Sequence, residues 1–201
     1  MRRAVLAVLS AAALTVLAGC STEGTPTPAT TTGTTAAGQT TEPSGNSGDV
    51  PEITGPELDL STLSSPCELL KTDQLAGRGV SEPGTERTGP AGPTCQWRPD
   101  ERVDGTSFSA TFLEKTNGLD GFYENRDDNP VFEPTEVAGY PAVNSDPTDA
   151  KSGTCSTAVG TAKGKGFVVQ VHVNDETLPE YTNPCSVTSA IAKTIVENLK
   201  G

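Results

Sequence analysis

Five cysteines and one histidine are the residues of this 201-residue chain best suited to covalent or acid–base chemistry. A zinc site needs ligands two to four residues apart, and no two of the cysteines are that close, while His172 is the lone imidazole. A hydrolytic triad needs a nucleophile and an orienting acid around that imidazole. No G-x-S-x-G marks one, and His172 falls on the polar side of an alternating segment, where an ordinary strand residue is expected. The adjacent acids Asp127-Asp128 and Asp175-Glu176 could act as a glycosidase pair, but neighbours in polar loops are more simply solvated charge. Asn144, Asp146 and Asp149 depart from the spacing of a calcium loop, with no closing glutamate. Phosphate loops and dinucleotide fingerprints are missing. The expectation is a protein that is not an enzyme, with no catalytic residue, no metal and no cofactor.

Cys20 has a different chemistry. Arg2 and Arg3 precede a nearly uninterrupted apolar run from Ala4 to Leu17, and Leu17-Ala18-Gly19-Cys20 ends it. Charge, apolar run and small residues form an export signal. The run is shorter than the roughly 20 residues that cross a hydrocarbon core. A cysteine at this place resembles the lipobox of bacterial lipoproteins, whose thiol receives the lipid. Residues 1–19 are therefore expected to be a lipoprotein signal peptide and Cys20 the lipidated first residue. The expected location is the outer face of a bacterial plasma membrane.

The charge excludes one class of partner. The chain has 26 acidic and 14 basic residues, 12 once Arg2 and Arg3 are removed, so the mature charge is −14. Such a surface repels phosphates, and no basic patch offsets it, so nucleic acid is not expected as a partner. The membrane is expected to be met through the N-terminal lipid only. Residues 21–57 hold five acids, no Lys or Arg and no aromatic residue, among Thr, Pro, Gly, Ser and Ala. Little there can be buried against the entropy of ordering, so residues 20–57 read as the lipidated cysteine and a disordered tether.

Residues 58–201 then read as one α+β domain, near the usual domain size. Ser65 before Pro66-Cys67 and Asn183 before Pro184-Cys185 each look like a helix cap with proline in the first turn. Glu68 completes a capping box in the first, and Gly77 suits its stop. Val187, Ile191, Ile195 and Leu199 repeat every four residues in the last. A weaker middle helix covers Leu119 to Arg126, although Gly121 lies inside it. Between the helices the period is two: Cys95 and Trp97; Phe108, Ala110 and Phe112; Phe167, Val169, Val171 and Val173. Lys163-Gly164-Lys165-Gly166 separates the last row from the segment Cys155 to Thr161 as a hairpin. An antiparallel sheet with flanking helices is expected.

Four cysteines remain for this domain, an even number in an oxidising compartment. Three pairings are possible. The spacing favours Cys67–Cys95 and Cys155–Cys185, two loops of similar length that each tie a helix start to a strand.

Pro66-Cys67-Glu68-Leu69-Leu70, Cys95-Gln96-Trp97, Val137-Ala138-Gly139-Tyr140-Pro141-Ala142-Val143, Cys155 before a hairpin and Asn183-Pro184-Cys185 occur in that order. The ordered set resembles the actinobacterial lipoprotein family called domain of unknown function 3558 (DUF3558). The resemblance covers nearly all of residues 60–200 and implies a cell-envelope location. The chain is more loosely similar to the extracellular sensor domains of mycobacterial serine/threonine kinases and to Mog1/PsbP-like lipoproteins, which imply a central antiparallel sheet, flanking helices and a cleft.

Gly139 and Pro141 make Gly139-Tyr140-Pro141-Ala142 a turn on backbone grounds alone. Tyr140 could also face a ligand groove there, and it is the one ligand-binding residue that the sequence suggests. The expected function is a monomeric, non-catalytic binding or sensing module for a small or lipidic ligand or an envelope protein. The alternatives are a scaffold subunit of an envelope complex and, less favoured, a cell-wall hydrolase.

Overall fold

The computed structural model describes residues 50–100 and 105–201; the signal peptide, Cys20 and most of the expected tether lie outside them. Seven strands form one antiparallel sheet in the order β1-β2-β3-β7-β6-β5-β4. These are β1 Thr85–Thr88, β2 Pro93–Trp97, β3 Thr106–Phe112, β4 Val131–Val137, β5 Tyr140–Asp146, β6 Thr154–Ala162 and β7 Lys165–Val173. Two meanders, β1 to β3 and β4 to β7, meet where β7 pairs with β3, Phe108 opposite Val171 and Ala110 opposite Val169. The two outer strands differ from the inner ones. β1 is exposed at all its residues, and β4 carries Pro134, which lacks an N–H and is tolerated at a sheet edge.

One face of the sheet is covered by α3 (Pro184–Lys200), which buries Ile191, Ala192, Ile195 and Val196. The expected four-residue stripe is present, with Val187 and Leu199 half-buried at its margin. Pro184 opens the helix as read from the sequence, but the Asn183 side chain makes no capping bond. Against α3 lie Trp97 and Phe108, stacked with ring centroids 5.3 Å apart, together with Phe167, Val169 and Val171. At burial values of this kind each such side chain contributes roughly 1.5–3 kcal/mol.

The first expected helix is broken in two. A 3-10 turn, Pro66–Leu69, is capped by Ser65, whose Oγ accepts from Cys67 N–H at 3.1 Å. Leu70 is then extended, and α1 (Thr72–Ala76) starts anew. The break lets Leu69, Leu70 and Leu75 all enter one core, which a single short helix with consecutive leucines cannot do. The C-terminal residue Gly77 has φ −64°, an ordinary helical value, so it is not a left-handed stop. Asn198 on α3 and Gln74 on α1 exchange amide hydrogen bonds at 2.8 and 2.9 Å, and Asn198 also donates to Leu69 O.

The disulfides are Cys67–Cys95, which ties the 3-10 turn to β2, and Cys155–Cys185, which ties β6 to the start of α3. Both lie on the α3 side. Beside the second, Thr157 Oγ1 is 2.6 Å from Thr188 Oγ1 and 2.7 Å from Asn144 Oδ1, so the buried hydroxyls are paired.

The folded unit begins before the expected boundary at residue 57. Ile53 packs against the main core, Val50 packs against a second one, and Leu58 N–H donates to Thr161 O at 3.0 Å. Short apolar residues in a Pro/Gly-rich stretch suffice to lay it on a core that other segments have built.

Candidate functional site

The chain must pass from β3, at the middle of the sheet, to β4 at its far edge. It crosses the face opposite α3. The crossing contains α2 (Asp120–Glu124) and a 3-10 turn, Arg126–Asp128, in place of one helix to Arg126. Leu119, Phe122 and Tyr123 pack there with Val143, Ala158 and Val168 as the second, smaller core. The Tyr123 ring meets Phe132 edge-on at 5.1 Å, and burial raises its phenol pKa. Gly121 is explained by close approach: a Cβ there would lie 1.9 Å from Thr116 O. A glycine in mid-helix is the cost of pressing α2 onto that backbone.

The crossing covers only part of this face. Between it and the sheet is a groove of about 620 Å³. Val168, Leu113, Phe122 and Ala91 supply its apolar surface. Thr94, Thr111, Gln170 and Ser156 line it from the sheet, and Thr116, Asn117, Asn125 and Asn129 from the crossing. Lys115 and Glu124 are its charged residues. Thr94 and Thr111 share a hydroxyl hydrogen bond of 2.8 Å, and Gln170 Nε2 donates to Ser156 Oγ at 3.2 Å. Apolar surface with a few convergent polar groups is the usual make-up of a small-ligand site, typically about 300–1,000 Å³. A larger concavity among the described residues, about 780 Å³, runs beside residues 57–64 and carries Glu57, Asp59, Glu114 and Lys165.

Tyr140 does not face a groove. The turn is Ala138-Gly139, with φ 51° and 89°, the two positive values of a type I′ hairpin. Tyr140 is thereby the first residue of β5 and is 2% exposed. Its hydroxyl donates to Pro56 O at 2.6 Å, and Lys200 Nζ sits 5.1 Å from its ring centroid while donating to Ala138 O. Its role is to hold residues 55–56 and the end of α3 on the sheet, which corrects the ligand-binding reading.

The residues weighed for catalysis do not converge. His172 is exposed, opposite Ser107 and Thr154 in neighbouring strands and outside the groove. Asp127 pairs with Arg126 at 3.4 Å. Asp175 Oδ1 accepts from Thr177 N–H and Oγ–H, which lowers its pKa and closes a local turn. Asp146 is buried: Burial opposes its ionisation, but hydrogen bonds from Thr148, from Thr154 at 2.9 Å and from Ala150 N–H outweigh this and lower its pKa. Asn144 does not join it: its Oδ1 accepts from Thr157 Oγ1 and Ser189 Oγ in the Thr157–Thr188 cluster. Among the described residues no three His, Cys, Asp or Glu side chains stand as metal ligands.

The family model described as Protein of unknown function (DUF3558) matches residues 15–198. The chain belongs to this family. The match takes in the whole sheet, all four disulfide cysteines and every residue of the groove. No curated protein and no solved structure matches the chain. The two disulfides point to an extracytoplasmic protein, and no helix among the described residues is long and apolar enough to cross a membrane.

Proposed function

We propose that this protein is a lipid-anchored, non-catalytic binding module of the cell envelope, held by Cys20 and working through the groove between the sheet and α2. The observation that carries this reading is the groove itself. It joins apolar surface to neutral hydroxyls and amides, and its titratable lining residues, Lys115 and Glu124, are both exposed. General acid–base chemistry needs groups held at the reacting atoms with matched pKa values. Recognition needs only shape and hydrogen-bonding groups, and these are what the groove supports. Residues 21–49 would then serve as the reach between the lipid and the domain.

Two variants test the two halves of this reading. Ser156→Trp fills the groove from the sheet. It is expected to remove whatever small molecule co-purifies with the wild type, seen by native mass spectrometry, while the thermal midpoint moves by a few degrees at most. Cys20→Ser is expected to lose acyl mass and leave the membrane fraction. Hydrolysis of wall fragments by the wild type that Ser156→Trp abolishes would overturn the non-catalytic reading.

A further inference from the structure

Side-chain carbonyl oxygens stand out among the unpaired polar atoms of the groove, which also include the buried Thr116 hydroxyl. Asn125 Nδ2 donates to Gly121 O at 2.7 Å, and Asn129 Nδ2 donates to Asn125 O at 3.1 Å. A backbone carbonyl only accepts, so each bond fixes which end of the amide faces the backbone. Oδ1 therefore faces away from the backbone in both residues and is left as an acceptor, beside the second N–H of each amide. Gln170 gives one Nε2 hydrogen to Ser156 and keeps Oε1 as an acceptor. Three amide oxygens thus line one groove as acceptors without a donor, next to the Phe122 ring and Val168.

We propose that the groove binds an uncharged carbohydrate, whose hydroxyls donate to the side-chain carbonyls of Asn125, Asn129 and Gln170 and whose C–H face lies on Phe122 and Val168. This rests on the reading of the groove as the binding site and adds the class of ligand. Sugar hydroxyls are dense donors on a small frame with an apolar face, which is what acceptors beside an aromatic ring select. An anion would meet three carbonyl oxygens and Glu124, with Lys115 as the single countercharge. A hard divalent cation would find amide oxygens but little carboxylate, which such ions use. A fatty chain would leave the amides buried without partners, a penalty for each.

The sheet offers a path for a chain of sugars. Gln96, Ser109, Gln170 and Ser156 are successive partners across β2, β3, β7 and β6, a neutral polar row leading away from the groove floor. An oligosaccharide can lie along it while one unit fills the groove.

The test is a nuclear magnetic resonance titration of the mature lipoprotein in lauryldimethylamine oxide micelles, which carry no sugar. The probes are maltotriose, cellotriose and chitotriose, per-O-methylated maltotriose, trigalacturonate and palmitate. At least one neutral trisaccharide is expected to shift amides of residues 111–129 and 168–170. Per-O-methylation, which removes every hydroxyl donor, should weaken binding at least tenfold. Gln170→Ala, on an exposed strand position, should weaken it about three- to tenfold without altering the spectrum elsewhere. Equal binding of the methylated sugar would overturn the donor assignment. Palmitate or trigalacturonate shifting these amides, with the neutral sugars inert, would overturn the carbohydrate class and leave the groove standing as a site. No groove shift with any probe would overturn both.

Discussion

The two faces of the sheet are built from the same strands and differ in nearly everything else. The α3 face has large, fully buried side chains, both disulfides and a paired polar cluster. The opposite face has a small core under α2 and then a groove lined by Ser, Thr and Gln, from buried Thr111 to exposed Gln170. The alternation of one strand states the contrast: Phe167, Val169 and Val171 on one side of β7, Gln170 and His172 on the other. Stability and recognition are thereby separated. One face can be packed to the density of a protein interior, and the other can change its ligand chemistry without touching that packing.

The sharpest way to break this contrast is to cut equally into both faces. Ile191→Ala, at a residue with no exposure, is expected to cost about 2–5 kcal/mol in urea unfolding. Phe122→Ala removes more atoms from a half-buried place beside the groove and is expected to cost less than half as much. Equal losses would mean that the second face is as much a part of the core as the first. Replacing Cys155 and Cys185 together by alanine opens a loop of 30 residues on the α3 side. The expected loss is about 3–4 kcal/mol, read as the difference in urea midpoint between oxidised wild type and variant, with groove binding kept in the folded protein.

Asp146 is the last residue of β5, and its side chain holds the start of the connection to β6. Its pKa is lowered in the folded state by hydrogen bonds to the carboxylate. A depressed carboxyl stabilises the fold above its unfolded pKa, about 3.9, and that contribution fades as pH falls through the lower folded value. Asp146→Ala is expected to cost about 1–3 kcal/mol at pH 7 and to flatten the fall of stability below pH 4. Urea unfolding from pH 7 to pH 2 checks the sign: an unchanged acid limb would mean that the Thr148 and Thr154 bonds contribute nothing net.

The same division explains which parts of the molecule could be read from the sequence. α3, β3 and the β6–β7 hairpin carry a strong period because one side of each is packed on the core, and the cysteine pairs were legible separately, from two loop spacings of similar length. β1 escaped because Thr85 to Thr88 are polar and exposed throughout, paired by backbone alone. The split at Leu70 escaped because two adjacent leucines fit either a helix or a kink. Tyr140 was placed on a turn by its glycine and proline, and nothing local says that Pro56, 84 residues earlier, waits for its hydroxyl. The groove is hardest of all. It joins Thr94, Asn125 and Gln170 from three separate segments, and each alone looks like ordinary loop or strand surface.

The smallest expected effect gives the finest test, because it compares two residues on one strand. Gln170 and His172 lie on the same side of β7, both exposed, two positions apart. Gln170 lines the groove and bonds to Ser156; the His172 side chain is outside the groove, and Ser107 Oγ donates to its backbone carbonyl at 3.5 Å. That carbonyl survives truncation of the imidazole. His172→Ala is therefore expected to shift stability by no more than about 0.5 kcal/mol, the usual range for surface substitutions. It should also leave ligand affinity unchanged, while Gln170→Ala, equally mild for stability, lowers it. If the two variants lose affinity together, the binding surface extends along the whole open face rather than the groove. If His172→Ala alone removes an activity, the imidazole is a catalytic group, and the division between a packed face and a recognising face has to admit chemistry on the latter.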